Sequence, residues 1–156
     1  MKRLLLVVLA STLILSGCSS SNSKLIVNLP LDPLPYFMKV DAQLVSHLTV
    51  ETPTNDFAKS ATRAGAKAEA LILYTPTNAP KVIFMSVYLF SAKAFDRLKN
   101  PSEPPAYGQE VIRRNGDVLS VAGPSDSIFD PKSVDGKNIS ALYETIYKAA
   151  TYIPAS

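Results

Sequence analysis

Glu110-Val111-Ile112-Arg113-Arg114-Asn115-Gly116-Asp117-Val118-Leu119-Ser120-Val121-Ala122 carries the sharpest structural signal in the chain. Asn-Gly supplies the two positive-φ residues of a type I′ turn, whose twist suits the strands it joins. Centring the loop on Asn115-Gly116 sets Arg114 opposite Asp117 and Ile112 opposite Leu119. The first pair is favourable by charge, and the second puts two aliphatics on one face. A hairpin here commits the chain to an antiparallel sheet.

The stretches on either side fit such a sheet. Residues 82–90 are apolar at both parities (Ile83, Phe84, Val87, Leu89, Phe90), the pattern of a central strand covered on both sides. Residues 68–74 read as a strand and 76–80 as a turn. Ser91 suits the N-cap of a short helix through Lys99, with Phe95 and Leu98 inward. From Met38 to Glu51 alternation is clean, with Met38, Val40, Leu44, Leu48 and Val50 on one side. His47 falls on the polar side. That period of two predicts a strand, or two joined at a bend.

Before it, residues 24–29 read as a short strand, and Pro30, Pro33 and Pro35 as an extended connector. Residues 56–66 read as an Ala-rich helix, capped by Thr54 or Asn55 and stopped near Gly65. Residues 123–137 read as a long polar loop holding Ile128 and Phe129. The last helix is expected from Asn138, its cap, to Tyr152. Its apolar stripe is Ile139, Leu142, Tyr143, Ile146, Ala150 and Ile153, with Glu144 and Lys148 paired on the wet side. The whole predicts one α+β domain over residues 24–156: an antiparallel-rich sheet with two or three helices packed on one face.

The start of the chain is of another kind. Lys2 and Arg3 precede an apolar and small-residue run from Leu4 to Leu15, the layout of a secretory signal. About a dozen residues fall short of the ~20 that cross a bilayer. The run closes on Leu15-Ser16-Gly17-Cys18, which resembles the lipobox of bacterial lipoproteins, a resemblance covering the first eighteen or so residues. It implies that residues 1–17 are removed. It also implies that the Cys18 sulfur carries a diacylglyceryl group and that its new amino group is acylated. Two or three acyl chains hold a protein firmly to a membrane where one does not. Ser19, where Asp would imply inner-membrane retention, implies by the same resemblance the periplasmic face of the outer membrane. Residues 18–23 are then the lipidated cysteine and a Ser/Asn tether. At ~3.5 Å per residue that tether reaches at most about 20 Å.

Composition narrows the function classes. The chain has 156 residues, with 16 Lys and Arg against 13 Asp and Glu. Lys2 and Arg3 leave with the signal, so 14 basic residues face 13 acidic ones. That balance gives no ground for nucleic-acid binding. Cys18 is the only cysteine, so the domain makes no disulfide and rests on apolar burial. Trp is absent.

Chemistry-bearing patterns are sparse. No Gly-x-Ser-x-Gly elbow occurs, and the one Ser-x-x-Lys, Ser21 with Lys24, lies in the tether. His47 is the only histidine, and Asp41 would lie about 20 Å from it along an extended strand. One histidine and no free cysteine are too few usual ligands for zinc. Asp126, Asp130 and Asp135 do not fit the EF-hand spacing. No phosphate-cradling Gly loop appears. No catalytic residue, metal site or cofactor is therefore expected. Two features remain as candidate partner-binding residues. Lys59, Arg63 and Lys67 recur every four positions and share a face if that segment is helical throughout. Ile128 and Phe129 stand among turn residues, either displayed or tucked inward.

The resulting expectation is a membrane-anchored envelope lipoprotein that binds another envelope protein, or acts as an assembly or protective factor. An envelope hydrolase with a dyad around His47, or an inhibitor of an external toxin or lysozyme, are the alternatives.

Overall fold

A strand apolar at both parities has no face to give to water, so it needs cover on two sides. Residues 84–90 are all buried, and the rest of the chain is arranged as that cover. The computed structural model describes residues 24–54, 56–124 and 129–155, except the side chains of residues 57 and 58. In chain order the elements are β1 (Ile26–Pro30), β2 (Tyr36–Asp41), α1 (Ala42–Val45), β3 (Leu48–Glu51), α2 (Asp56–Ala64), β4 (Ala66–Tyr74), β5 (Val82–Ser91), α3 (Ala92–Leu98), β6 (Gln109–Arg114), β7 (Asp117–Ala122), α4 (Val134–Ile146) and β8 (Tyr152–Pro154), with a 3-10 turn at Ala149–Thr151.

The strands form two antiparallel sheets. One has three strands in the order β1-β2-β8, the other five in the order β3-β4-β5-β7-β6, with β5 in the middle. Val87 and Leu89 of β5, Ala70, Ile72 and Tyr74 of β4, and Leu119 and Val121 of β7 pack into the larger core. That core also takes Tyr36, Met38 and Val40 of β2 and Ile139, Leu142 and Ile146 of α4. Tyr88 and Phe90 point the other way and join Val118 of β7, Ala61 of α2, and Ala94 and Phe95 of α3. The chain is thus a single small α+β domain, as expected. What the pattern alone does not reveal is the division into two sheets, with α4 on the opposite side of the central sheet from α2 and α3.

The hairpin matches its reading at the turn and at both pairs beside it, with a bulge at Val111 beyond them. Asn115 and Gly116 have φ of +52° and +80°, Arg114 pairs with Asp117, and Ile112 with Leu119. Ser91 Oγ accepts from Ala94 N–H and starts α3, while Gly65, at φ +99°, follows the end of α2.

Three expectations are corrected. The proline connector is a tight turn, not an extended spacer. Leu31 N–H donates to Tyr36 O and Leu34 N–H to Leu31 O, and both leucines are buried. Those apolar anchors between the prolines fold the chain back so that β1 pairs with β2. The alternating stretch is two strands, the second of its two readings, but they lie in different sheets and a helical turn replaces the bend. Asp41 accepts from Gln43 N–H at 3.0 Å and caps a single helical turn, α1, that carries the chain from one sheet to the other. A capping aspartate ahead of Ala-Gln-Leu overrides the period of two there.

The third correction concerns the last helix. Ser133, not Asn138, is the cap: its Oγ accepts from Gly136 N–H at 2.9 Å. Asn138 instead donates to the Tyr74 hydroxyl. The helix stops at Ile146, because hydroxyls take its last carbonyls: Thr145 bonds Leu142 O, Thr151 bonds Thr145 O and Tyr152 bonds Ile146 O. Tyr152 then enters β8 beside β2, Lys148 lies outside the helix, and Tyr143 and Ala150 of the expected stripe are exposed.

Gly108 and Gly116 both sit at positive φ, but only one is crowded. A Cβ on Gly108 would meet Val121 O at 2.1 Å, whereas one on Gly116 meets nothing within 4 Å. Gly116→Ala is expected to cost about 1–2 kcal/mol, the backbone term alone. Gly108→Ala adds a clash with a fixed carbonyl, a further ~1–3 kcal/mol. Urea unfolding of the two variants measures the difference, and equal losses would contradict the close approach.

Candidate functional site

Charged and polar side chains of the described domain gather in four places. The first joins α3 to the hairpin. Arg113 makes a paired contact with Asp96, at 2.7 and 3.1 Å, and bonds both carboxylate oxygens of Glu110 at 2.8 Å. Lys99 completes the group through Asp96 and Glu110. Hydrogen bonds from Arg113 first, and from Lys99, hold both carboxyls below their ordinary range. The group ties α3 to β6 at the surface.

The second place joins α4 to the turn after β4. The Tyr74 hydroxyl, on a fully buried side chain, donates to Asp135 Oδ1 at 2.7 Å and accepts from Asn138 Nδ2 at 3.0 Å. Thr77 donates to the same carboxylate through its N–H and its hydroxyl. Burial pushes the Tyr74 phenol up to about 12, and the Tyr74 hydrogen bond, with help from Thr77, lowers Asp135. His47 stacks on Tyr74 with ring centroids 5.4 Å apart and an interplanar angle of 14°. Its Nδ1 lies 2.9 Å from Thr75 O. A carbonyl only accepts, so Nδ1 carries the proton. Among the described residues no hydroxyl nucleophile bonds this ring, and His47 sits in the turn between α1 and β3, not on an extended strand with Asp41.

The third place is a cavity of about 530 Å³ where the hairpin tip meets the smaller sheet. It is lined by Arg114, Asn115 and Asp117 on one side and by Pro35, Tyr36 and Pro154 on the other. The fourth, of about 350 Å³, lies beside α2 and is lined by Thr52, Thr62, Lys67 and Glu69 among prolines and alanines. Glu69 is 6% exposed, and neither carboxylate oxygen meets a hydrogen-bond partner in good geometry. Burial raises its pKa, and the facing Tyr88 hydroxyl only partly offsets that.

The candidate partner-binding residues scatter. Lys59 and Arg63 are exposed on α2, where Lys59 pairs with Asp56 at 2.9 Å and Arg63 Nε donates to Lys59 O. Lys67 lies past Gly65 on β4 and pairs with Asp117 of the hairpin, so the three do not form one helical face. A glycine at positive φ ends the register that spacing by four assumed. Phe129 packs edge-on against Tyr74 at 5.8 Å and joins the larger core, the inward of its two readings. Cys18, Ile128 and Asp126 lie outside the described residues. Asp130 takes the Lys132 N–H in a turn while Asp135 serves Tyr74 and Thr77, so the two carboxylates have different partners.

Sequence reasoning passed over Glu69 and Tyr74. The signal for Glu69 was available, since it is the lone carboxylate at the parity of Leu71 and Leu73 in an apolar strand. Nothing local marks Tyr74, whose partner Asp135 lies 61 positions away.

No family model, no curated protein and no solved structure matches this chain. Fold and surface define it as a two-sheet α+β domain whose polar groups mostly lock one element to another. Among the described residues no helix is long and apolar enough to cross a membrane.

Tyr74→Phe leaves Asp135 and Asn138 without their shared partner and is expected to cost about 1–3 kcal/mol in urea unfolding. Glu69 acts in the opposite sense. Its carboxyl ionises near 4.5 in the unfolded chain and higher in the folded one. Stability is therefore lost as pH rises through that window. Glu69→Gln removes the titration, so its stability relative to the parent is expected to climb with pH above about 4.5 and to be flat below. Chemical denaturation across pH 4 to 8 checks this, and a pH-independent difference would exclude Glu69 as the titrating group.

Proposed function

We propose that this protein is a lipid-anchored factor of the bacterial envelope, held at the periplasmic face of the outer membrane, whose domain binds another envelope protein. The observation that carries the reading is Leu15-Ser16-Gly17-Cys18 at the end of a short apolar run behind two cations, with Cys18 the only thiol. The role of the domain is supported by how its polar groups are engaged. Arg113, Asp96 and Glu110 hold α3 to β6, and Asp135 and Asn138 hold α4 to β4. Such pairings position structure and leave little free for acid–base work. Lys59 and Arg63 are exposed on one helix, α2, and are the two of the three candidate cations that stay together. Lys67 stands apart from them on β4, paired with Asp117.

Mass analysis of the mature N-terminus tests the anchor. The chain is expected to begin at Cys18, heavier by a diacylglyceryl group and an amide-linked acyl chain, and Cys18→Ser is expected to abolish both cleavage and lipid. A mature chain starting elsewhere would overturn the reading. Cross-linking in intact cells tests the second half, with an envelope protein as the expected capture and charge reversal at Lys59 and Arg63 reducing it.

A further inference from the structure

The outward side of the three-stranded sheet differs from the rest of the surface. Its pairing sets Ile26 beside Asp41, Asn28 beside Lys39, Pro30 beside Phe37, and Phe37 beside Ile153. Tyr36, Met38 and Val40, at the other parity of β2, are buried in the core, so these partners face away from it. Ile26 is 51% exposed, and Leu25 just before it is 71% exposed. Leu25 is nevertheless held in place, since its carbonyl accepts from Ala42 N–H at 2.7 Å. Lys24 stands beside this pair, 4.0 Å from Asp41, and Lys39 is exposed on the same side.

We infer that this side of the sheet and the start of β1 beside it rest on the lipid surface, with Ile26 on that side and Leu25, just outside the strand, seated at the boundary of headgroups and acyl chains and Lys24 and Lys39 toward lipid phosphates. The inference rests on the reading of Cys18 as the lipidated residue. Between Cys18 and Lys24 stand only Ser19-Ser20-Ser21-Asn22-Ser23. Even at full stretch that number of residues spans no more than about 20 Å. The chain therefore delivers its exposed apolar pair to within a short reach of the bilayer. A fixed apolar edge flanked by cations suits an interface that is apolar below and anionic above. A folded protein partner would have to fit into the narrow gap between domain and membrane. Ile83 and Val134, the other strongly exposed aliphatics, belong to β5 and α4 and not to the strand that follows the tether.

The absence of Trp makes a direct test possible, because one introduced indole reports alone. The lipidated protein carrying Leu25→Trp is reconstituted in vesicles of phosphatidylethanolamine and phosphatidylglycerol, and Ile83→Trp serves as the water-facing reference. Emission from Leu25→Trp is expected to shift to the blue and to be quenched by brominated acyl chains about threefold more than the reference. Equal quenching would overturn the inference. A second arm uses the mature-length chain with Cys18→Ser, so that no lipid holds it. Leu25→Trp in this chain is expected to shift on titration with anionic vesicles, with affinity falling about fivefold for each of Lys24 and Lys39 replaced by Ser. Binding in this arm by a protein whose native N-terminus proves unlipidated would sink the anchor and leave the face standing. Firm anchoring with no indole response in either arm would sink the face and leave the anchor. Loss of a cross-linked envelope protein in Leu25→Ser and Ile26→Ser, without any indole response, would give the face to that protein and overturn the lipid assignment.

Discussion

Burial of β5 on both of its faces is the constraint that the rest of the molecule answers. Seven consecutive residues from Phe84 to Phe90 leave nothing to meet solvent. At roughly 1.5–3 kcal/mol for each large apolar side chain removed from water, exposing either face would exceed the margin on which a domain of this size folds. One face is covered by α2 and α3 with Tyr107, and the other by the smaller sheet and α4. Without the three-stranded sheet, Val87 and Leu89 would lose part of their cover. The two sheets are for that reason one folding problem and not two.

Polar contacts then fix where the cover sits. Burial of apolar area is non-directional, whereas hydrogen bonds are directional. Tyr74 carries a buried aromatic body into the core and a hydroxyl to the first turn of α4, so one side chain sets both depth and register. Arg113 does the same at the surface for α3, bonding Asp96 and Glu110 at once. Glu69 breaks the pattern, being as deeply buried as the core yet poorly partnered.

How much of this could be read beforehand depended on the range of the signal. The hairpin at Asn115-Gly116, the cap at Ser91, the stop at Gly65 and the double-sided burial of β5 are all written within a few residues, and each was legible. The joint at Asp41 was hidden because its alternation is real on either side, and a single capped turn of helix interrupts it without breaking the apolar count. Ile153 looked helical because its spacing from Ile146 suggests a stripe, but its strand partner is Phe37, more than a hundred residues earlier. At the candidate site the same rule held. Lys59 and Arg63 stand where the sequence puts them, while the link from Lys67 to Asp117 crosses fifty positions and had no local trace.

The placement of β8 has a consequence for the order of events as the chain is made. Residues 152–154 complete the sheet that β1 and β2 begin, and Ala155 N–H adds a bond to Pro35 O. The middle strand of that sheet, β2, must therefore wait more than a hundred residues for its second neighbour. Until then β2 has an open side, and half of the cover over β5 is not in place. Loop closure over that distance is slow compared with hairpin formation. Nascent chains would stay unlocked until residues 152–154 emerge, and losing those residues would remove the latch.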